Sequence, residues 1–284
     1  MAELIDGKKI SQDLKDEVKA QVSELKEKGV EVALAVILVG NDPASTVYVG
    51  NKKKACEYTG IRSESYELPE DTSEKELLDL VERLNNDDKI DGILVQLPLP
   101  KHIDEDKVIR SISPDKDVDG FHPESVGRLS IGAKGFVSCT PAGVIELLKR
   151  SNTPLDGANA VVVGRSNIVG KPMSMLLLRE NATVTVCHSH TKNLKEVCKN
   201  ADVLVVAIGQ PKFIDASYIK EGATVIDVGI HRVDDGSKKL CGDVDFESAE
   251  KVAGKITPVP GGVGPMTIAE LMNNCLQSAL MKLQ

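Results

Sequence analysis

The 284-residue chain has no tryptophan and only four tyrosines and four phenylalanines. With aromatics at 3% and hydrophobic residues at 41%, its cores must be packed from aliphatic side chains, which suits buried parallel sheets. No apolar run approaches the roughly 20 residues of a membrane span, so no membrane partner is expected. Met1–Ile10 lacks an apolar core behind basic residues, so no signal peptide is expected either. Among the six cysteines (Cys56, Cys139, Cys187, Cys198, Cys241, Cys275) there is no C-x-x-C pair, which predicts reduced, buried thiols and a cytoplasmic location. The longest basic run is Lys52-Lys53-Lys54, and 35 Lys and Arg stand against 43 Asp and Glu, a net charge of −8. That balance argues against nucleic acid as a partner. His188 and His190 form an H-x-H that would set both rings on one strand face. No Cys, Asp or Glu joins them at ligand spacing, so no metal is expected.

At roughly 100–200 residues per domain the length predicts two domains. Leu4-Ile5 reads as a short strand, and Lys8–Lys28 as an amphipathic helix with Ile10, Leu14, Val18, Val22 and Leu25 on one face and Gly29 as its stop. Val32–Val39 is a buried strand. Asp42 and Pro43 open a helix that runs to Thr59, with Gly60 after it. Tyr48 and Lys52 share a face of that helix. A strand at Ser63–Leu68, a helix at Thr72–Asn85 and a strand at Ile90–Leu97 follow, the last stopped by Pro98 and Pro100 with Gln96 at its C-terminal end. Ligands collect at that end of open parallel sheets. After a short helix at Asp104–Ile112, the acidic stretch Asp115, Asp117, Asp119 reads as solvated or helix-capping, with a calcium loop as a lesser alternative that Gly120-Phe121-His122-Pro123 does not continue. Ser125–Ser138 reads as irregular.

Thr140-Pro141 opens a helix to Arg150 and marks the crossing into a second domain. From there strands at Ala160–Val163, Thr183–Cys187, Val203–Ile208 and Ala223–Val228 alternate with helices at Pro172–Asn181, Leu194–Asn200 and Ala216–Lys220, which predicts a parallel sheet. Thr257–Thr267 packs Pro and Gly into a constrained loop before a terminal helix at Met266–Lys282.

Ala160–Pro172 runs from strand through a glycine-bounded turn to a helix N-terminus, the arrangement that cradles a phosphate. Aligned on Gly164, a G-x-G-x-x-G pattern would put Ser166 and Val169 at its other glycine positions, so an ordinary strand-to-helix turn stands beside the phosphate reading. If a dinucleotide binds, the next strand ends about 20 residues on, beside the adenosine ribose. No Asp or Glu stands at Val186–Ser189, whereas Arg165 and Ser189 could meet a ribose phosphate, so the sequence leans to NADP.

Five strings now stand together: Tyr48–Lys52, Gly92–Pro100, Lys116–Gly120, Gly164–Pro172 and Pro258–Thr267. In order and over essentially the whole chain, they resemble the bifunctional methylenetetrahydrofolate dehydrogenase / methenyltetrahydrofolate cyclohydrolase family. The resemblance implies two α/β domains flanking a cleft: a folate-binding catalytic domain from 1–139 and 266–284, and a Rossmann-type NADP-binding domain at 140–265 that also forms a homodimer. It implies oxidation of methylenetetrahydrofolate with NADP, then hydrolysis to formyltetrahydrofolate in the same site. No formate-activating synthetase domain fits in this length. By resemblance Lys52 is the key catalytic residue, Tyr48 stacks on the folate, Gln96 sits against the lysine and Asp119 anchors the pterin. Val95, Leu97, Pro260, Gly261 and Gly262 complete the substrate contacts. Gly164, Arg165, Ser166, Ile168, Val169, Gly170, Ser189 and Ile230 take the cofactor. The chemistry is coherent, because a buried lysine can move protons between oxygen and nitrogen during ring opening, and Gln96 offers a donor and an acceptor to position it. Without the resemblance Lys52 would read as a solvated lysine and Tyr48 as a packing residue. A dehydrogenase that has lost the hydrolytic step, or a non-catalytic NADP-binding regulator, are the competing readings. The first is opposed by the intact Tyr48, Lys52 and Gln96, the second by Lys52 and Asp119.

Overall fold

The computed structural model describes residues 1–233 and 239–283, leaving aside the side chain of Ala44. Its strands, in chain order, are β1 (Glu3–Leu4), β2 (Ala33–Val39), β3 (Arg62–Leu68), β4 (Gly92–Val95), β5 (Asn159–Val163), β6 (Thr183–Cys187), β7 (Val203–Val206), β8 (Thr224–Asp227), β9 (His231–Arg232), β10 (Leu240–Cys241) and β11 (Lys255–Ile256). Its helices are α1 (Gly7–Glu27), α2 (Pro43–Thr59), α3 (Glu74–Asn85), α4 (Glu105–Ser111), α5 (Pro123–Ser130), α6 (Cys139–Arg150), α7 (Gly170–Arg179), α8 (Leu194–Cys198), α9 (Phe246–Ala249) and α10 (Val263–Met281). The chain divides into two compact units, one of Met1–Ser11 with Thr140–Thr267, the other of Gln12–Cys139 with Ile268–Gln284. Both are α/β with parallel sheets.

In the unit of residues 12–139, the strand order is β3-β2-β4, all parallel. Every residue of β2 is buried, because helices cover both faces. Leu34, Val36 and Leu38 pack into one cluster with Val18, Val22 and Leu25, while Ala33, Ala35, Ile37 and Val39 pack into another with Leu77, Leu80 and Val81. This two-residue alternation is the strand's own period, and it explains an uninterrupted apolar run. The first cluster is completed by Leu271, Met272, Cys275 and Leu276 of α10. Ser278 Oγ fastens that helix by donating to the carbonyl of Asp91 at 2.6 Å.

The other unit carries a six-stranded parallel sheet in the order β1-β11-β8-β7-β5-β6. From β5 the chain steps outward to β6 and then returns to β7 on the opposite side. The crevice at the C-terminal ends of β5 and β7 is thus a topological switch point, where such sheets bind ligands.

The structure departs from the sequence expectations in several places. Residues 1–11 belong with the second half of the chain rather than with 12–139, because β1 pairs with β11. Ser125–Ser138 is not irregular throughout, since α5 begins at Pro123 behind a His122 cap whose Nδ1 accepts from Glu124 N. The terminal helix starts at Val263 and takes Gly264 and Pro265 into its first turn, where proline is tolerated. His188 and His190 are not on a strand face, since β6 ends at Cys187 and both lie in the turn beyond it.

Candidate functional site

Lys52 lies on α2, four residues after Tyr48 and four before Cys56, so the three share one face. The face grades from half-exposed to dry: Tyr48 is 40% exposed, Lys52 7% and Cys56 0%. A buried lysine amino group must find partners. Lys52 Nζ donates to Gln96 Oε1 at 3.0 Å, and Gln96 Nε2 donates to the Leu97 carbonyl at 2.7 Å, which fixes the amide's orientation. Gln96 follows β4 directly, with Val95 buried and Leu97 half-buried beside it. The lysine is therefore aimed at the C-terminal edge of the sheet.

Asp119 joins this group. The segment before it runs beside β4, with Ile93 N donating to the Lys116 carbonyl at 2.8 Å. Burial pushes the Asp119 carboxyl above the ordinary carboxylate range, while the charge of Lys52 and a hydrogen bond from Cys139 pull it down. Asp117 does a different job. Its carboxylate accepts from His122 N (2.8 Å), Phe121 N (3.2 Å) and Ser125 Oγ (2.7 Å), tying the loop to the start of α5. Burial raises it to about 6. Lys116 is likewise structural, donating to the carbonyls of Leu84 and Asp87. Sequence reasoning missed Asn274, whose Nδ2 donates to the carbonyls of Val118 (2.8 Å) and Val137 (3.1 Å) and braces the backbone next to Asp119. Nothing local to residue 274 signals this.

In the other unit the turn after β5 is built on close backbone approaches. Gly164 has φ +132°, and a Cβ there would stand 2.2 Å from the Ala207 carbonyl oxygen; one on Gly170 would stand 2.3 Å from the Gly164 oxygen. Ser166 Oγ accepts from Val169 N (3.2 Å) and Gly170 N (3.3 Å), closing the turn at the start of α7. Ser166, Ile168, Val169 and Ile230 line one cavity of about 240 Å³ together with Ala207, Gly209, Val228, Gly229, His231 and Asp243. Arg165 is exposed in the turn, and Ser189 is exposed past the end of β6, with no carboxylate among Val186–Ser189. A glycine-lined strand–turn–helix with a cavity at the switch point fits a dinucleotide. Pro260, Gly261 and Gly262 fall in this same unit, where Gly262 is packed against Gly7: a Cβ on Gly7 would meet the Gly262 oxygen at 1.9 Å. Among the described residues no cluster of three His, Cys, Asp or Glu could hold a metal ion.

Two family models together cover most of the chain. Residues 5–119 match the tetrahydrofolate dehydrogenase/cyclohydrolase catalytic domain, and residues 138–283 match the NAD(P)-binding domain of the same family. The chain belongs to the tetrahydrofolate dehydrogenase/cyclohydrolase family. Relatives agree over full length. A protein of Agathobacter rectalis named bifunctional protein FolD is 70% identical over 98% of this chain and 99% of its own. The crystal structure of the bifunctional FolD dehydrogenase/cyclohydrolase of Campylobacter jejuni is 51% identical, with a TM-score of 0.96 over 99% of this chain and 100% of that one. The Trypanosoma brucei FolD, solved with NADP cofactor and inhibitor, is 40% identical with a TM-score of 0.95, over 100% and 99%. Within the family's catalytic-domain region lie Tyr48, Lys52, Gln96 and Asp119; within its NAD(P)-binding region lie Gly164 to Gly170, Ser189 and Ile230.

Proposed function

We propose that this family member oxidises 5,10-methylenetetrahydrofolate to the 5,10-methenyl form with NADP and then hydrolyses that product to 10-formyltetrahydrofolate in the same site. The observation that carries this reading is the buried Lys52 amino group held at 3.0 Å by Gln96 at the C-terminal edge of the sheet. Tyr48, one turn earlier, offers an exposed ring for stacking on the folate. Asp119 accepts hydrogen bonds from the aminopyrimidinone edge of the pterin. Val95 and Leu97 line the folate beside Gln96. NADP, when bound, supplies the hydride acceptor. Gly164, Arg165, Ser166, Ile168, Val169, Gly170, Ser189 and Ile230 hold it and fix its alignment, which is most of what hydride transfer asks of a protein. In ring opening, Lys52 relays a proton from the attacking water to the departing ring nitrogen, and Gln96 keeps its amine in place.

The purified chain with methylenetetrahydrofolate is expected to form NADPH from NADP, faster than NADH from NAD, without stoichiometric accumulation of the methenyl product. Absence of NADPH would overturn the reading, and full accumulation would leave a dehydrogenase alone. Lys52→Met should abolish hydrolysis while leaving NADP binding intact; retained hydrolytic turnover would remove Lys52 from this role.

We further propose a homodimer in the cytoplasm. Among the described residues β6 pairs only with β5 and so forms an edge. It carries neither charge nor proline, and Thr183, Thr185 and Val186 are exposed along it, with Leu178 of α7 exposed nearby in sequence. Such an edge invites strand or helix pairing with a second copy. The six cysteines are all free, five of them buried, and among the described residues no helix is long and apolar enough to cross a membrane.

A further inference from the structure

The mechanism above leaves unused a cluster of buried ionisable groups behind the cavity of the NAD(P)-binding unit. The carboxylate of Asp243 is 0% exposed. Its Oδ2 accepts from Ile208 N at 2.7 Å and Gly209 N at 3.0 Å, the turn that follows β7. Its Oδ1 accepts from the His231 ring, whose Nε2 lies 2.7 Å away, beyond the end of β8. One carboxylate thus ties together two of the three turns that wall the cavity. The main chain of Asp243 is itself fixed, because Asp243 N donates to Asp227 Oδ1 at 2.9 Å and Val244 N to Asp227 Oδ2 at 2.9 Å. Two glycines make room for the arrangement. A Cβ on Gly229 would stand 2.5 Å from the Asp243 carboxyl, and one on Gly242 1.8 Å from Asp227 Oδ2.

Sheet topology says which part of a dinucleotide this wall meets. The adenosine ribose falls at the end of β6 and the pyrophosphate at the N-terminus of α7, so the remaining nucleotide lies along the ends of β7 and β8. We infer that Asp243 is a positioning residue for the nicotinamide half of the cofactor, and that the imidazole it holds, His231, is a contact of that half. This rests on the NADP reading above. All three hydrogen bonds fall on one fully buried carboxyl group, so they set the ring with little freedom. A wall held by Asp243 keeps the turns at Ile208–Gly209 and Ile230–His231 at a fixed separation while a cofactor enters between them.

Three variants test the inference: Asp243→Asn, which weakens the acceptor set; His231→Leu, which keeps bulk and removes the ring nitrogens; and His231→Gln, which returns an N–H donor at similar reach. Loss of these hydrogen bonds predicts that Asp243→Asn and His231→Leu raise the KM and the calorimetric Kd for NADP by about tenfold, with a smaller change in kcat. His231→Gln should recover most of that loss. The KM for methylenetetrahydrofolate should not move. Hydrolysis of supplied methenyltetrahydrofolate needs no dinucleotide, so its persistence shows that each variant is folded. Unchanged NADP affinity in both Asp243→Asn and His231→Leu would overturn the inference, as would equal losses in His231→Leu and His231→Gln. A wild-type protein that fails to reduce NADP would instead overturn the functional reading, a separate result.

Discussion

Two buried aspartates that hold main-chain turns show how single residues set the pH response of the fold. Asp117 and Asp227 are both buried, and burial raises each from an ordinary 3.8 to about 6. Each therefore binds its proton more tightly folded than unfolded. The folded protein takes up protons as pH falls through about 6, where the unfolded chain does not, so their contribution to stability grows on acidification and is lost as pH rises through about 6. The melting temperature should accordingly rise from about pH 7.5 to about pH 5, and the slope should shrink in Asp227→Asn. A flat or falling profile in the wild type would contradict this. Arg165 belongs to the same scale. Its place in the turn after β5 predicts that Arg165→Ala weakens NADP by about tenfold and NAD hardly at all; equal loss of both would remove the phosphate contact. Lys52 is the residue least legible from sequence. In the run Lys52-Lys53-Lys54 it looks solvated, and Lys53 indeed pairs with exposed Glu67. Only the approach of Gln96, 44 positions away in the chain, marks Lys52 as different. His231 and Asp243 were invisible for the same reason.

At the scale of elements, local chemistry was readable wherever it was self-contained. Both ends of α2 follow from Asp42-Pro43 and Gly60: Asp42 Oδ2 accepts from Ser45 N at 2.7 Å, and Gly60 adopts φ +82°. Asp42→Ala should cost about 1 kcal/mol, a fall in melting temperature of about 2–4 °C, measured by calorimetry; no change would mean the cap is not stabilising. The buried strands β2, β5, β7 and β8 were equally plain as β-branched runs. α5 was missed because histidine is not a customary cap. β9, β10 and β11 were missed because strands of two residues carry no period. Their existence depends on partners, as the register Leu240↔Arg232 and Lys255↔Thr224 makes explicit.

For the molecule as a whole, the sequence announced two α/β units, and the resemblance gave one of them 1–139 with 266–284 and the other 140–265; the compact units differ from that at residues 1–11 and 266–267. Pairing between β1 and β11 cannot be read from either strand alone. Assembly is the prediction at this scale. A dimer through β6 implies that Val186→Lys, which places a charge on an otherwise uncharged edge, shifts the protein to a monomer by sedimentation while Lys52-dependent hydrolysis continues. A wild-type monomer, or a variant that stays dimeric, would rule out that edge.

The interleaving of the two units also governs how the chain is made. β1 leaves the ribosome first, yet its partner β11 lies some 250 residues later, and the sheet β3-β2-β4 awaits residues 271–279 to close its apolar face. At about 5–20 residues per second, both wait on the order of ten to fifty seconds. The unit of residues 12–139 cannot be completed until the other has been translated in full, so the nascent chain carries two unfinished cores at once. Any chaperone that shields aliphatic surface has its longest appointment with α1 and β2, not with the segments synthesised last.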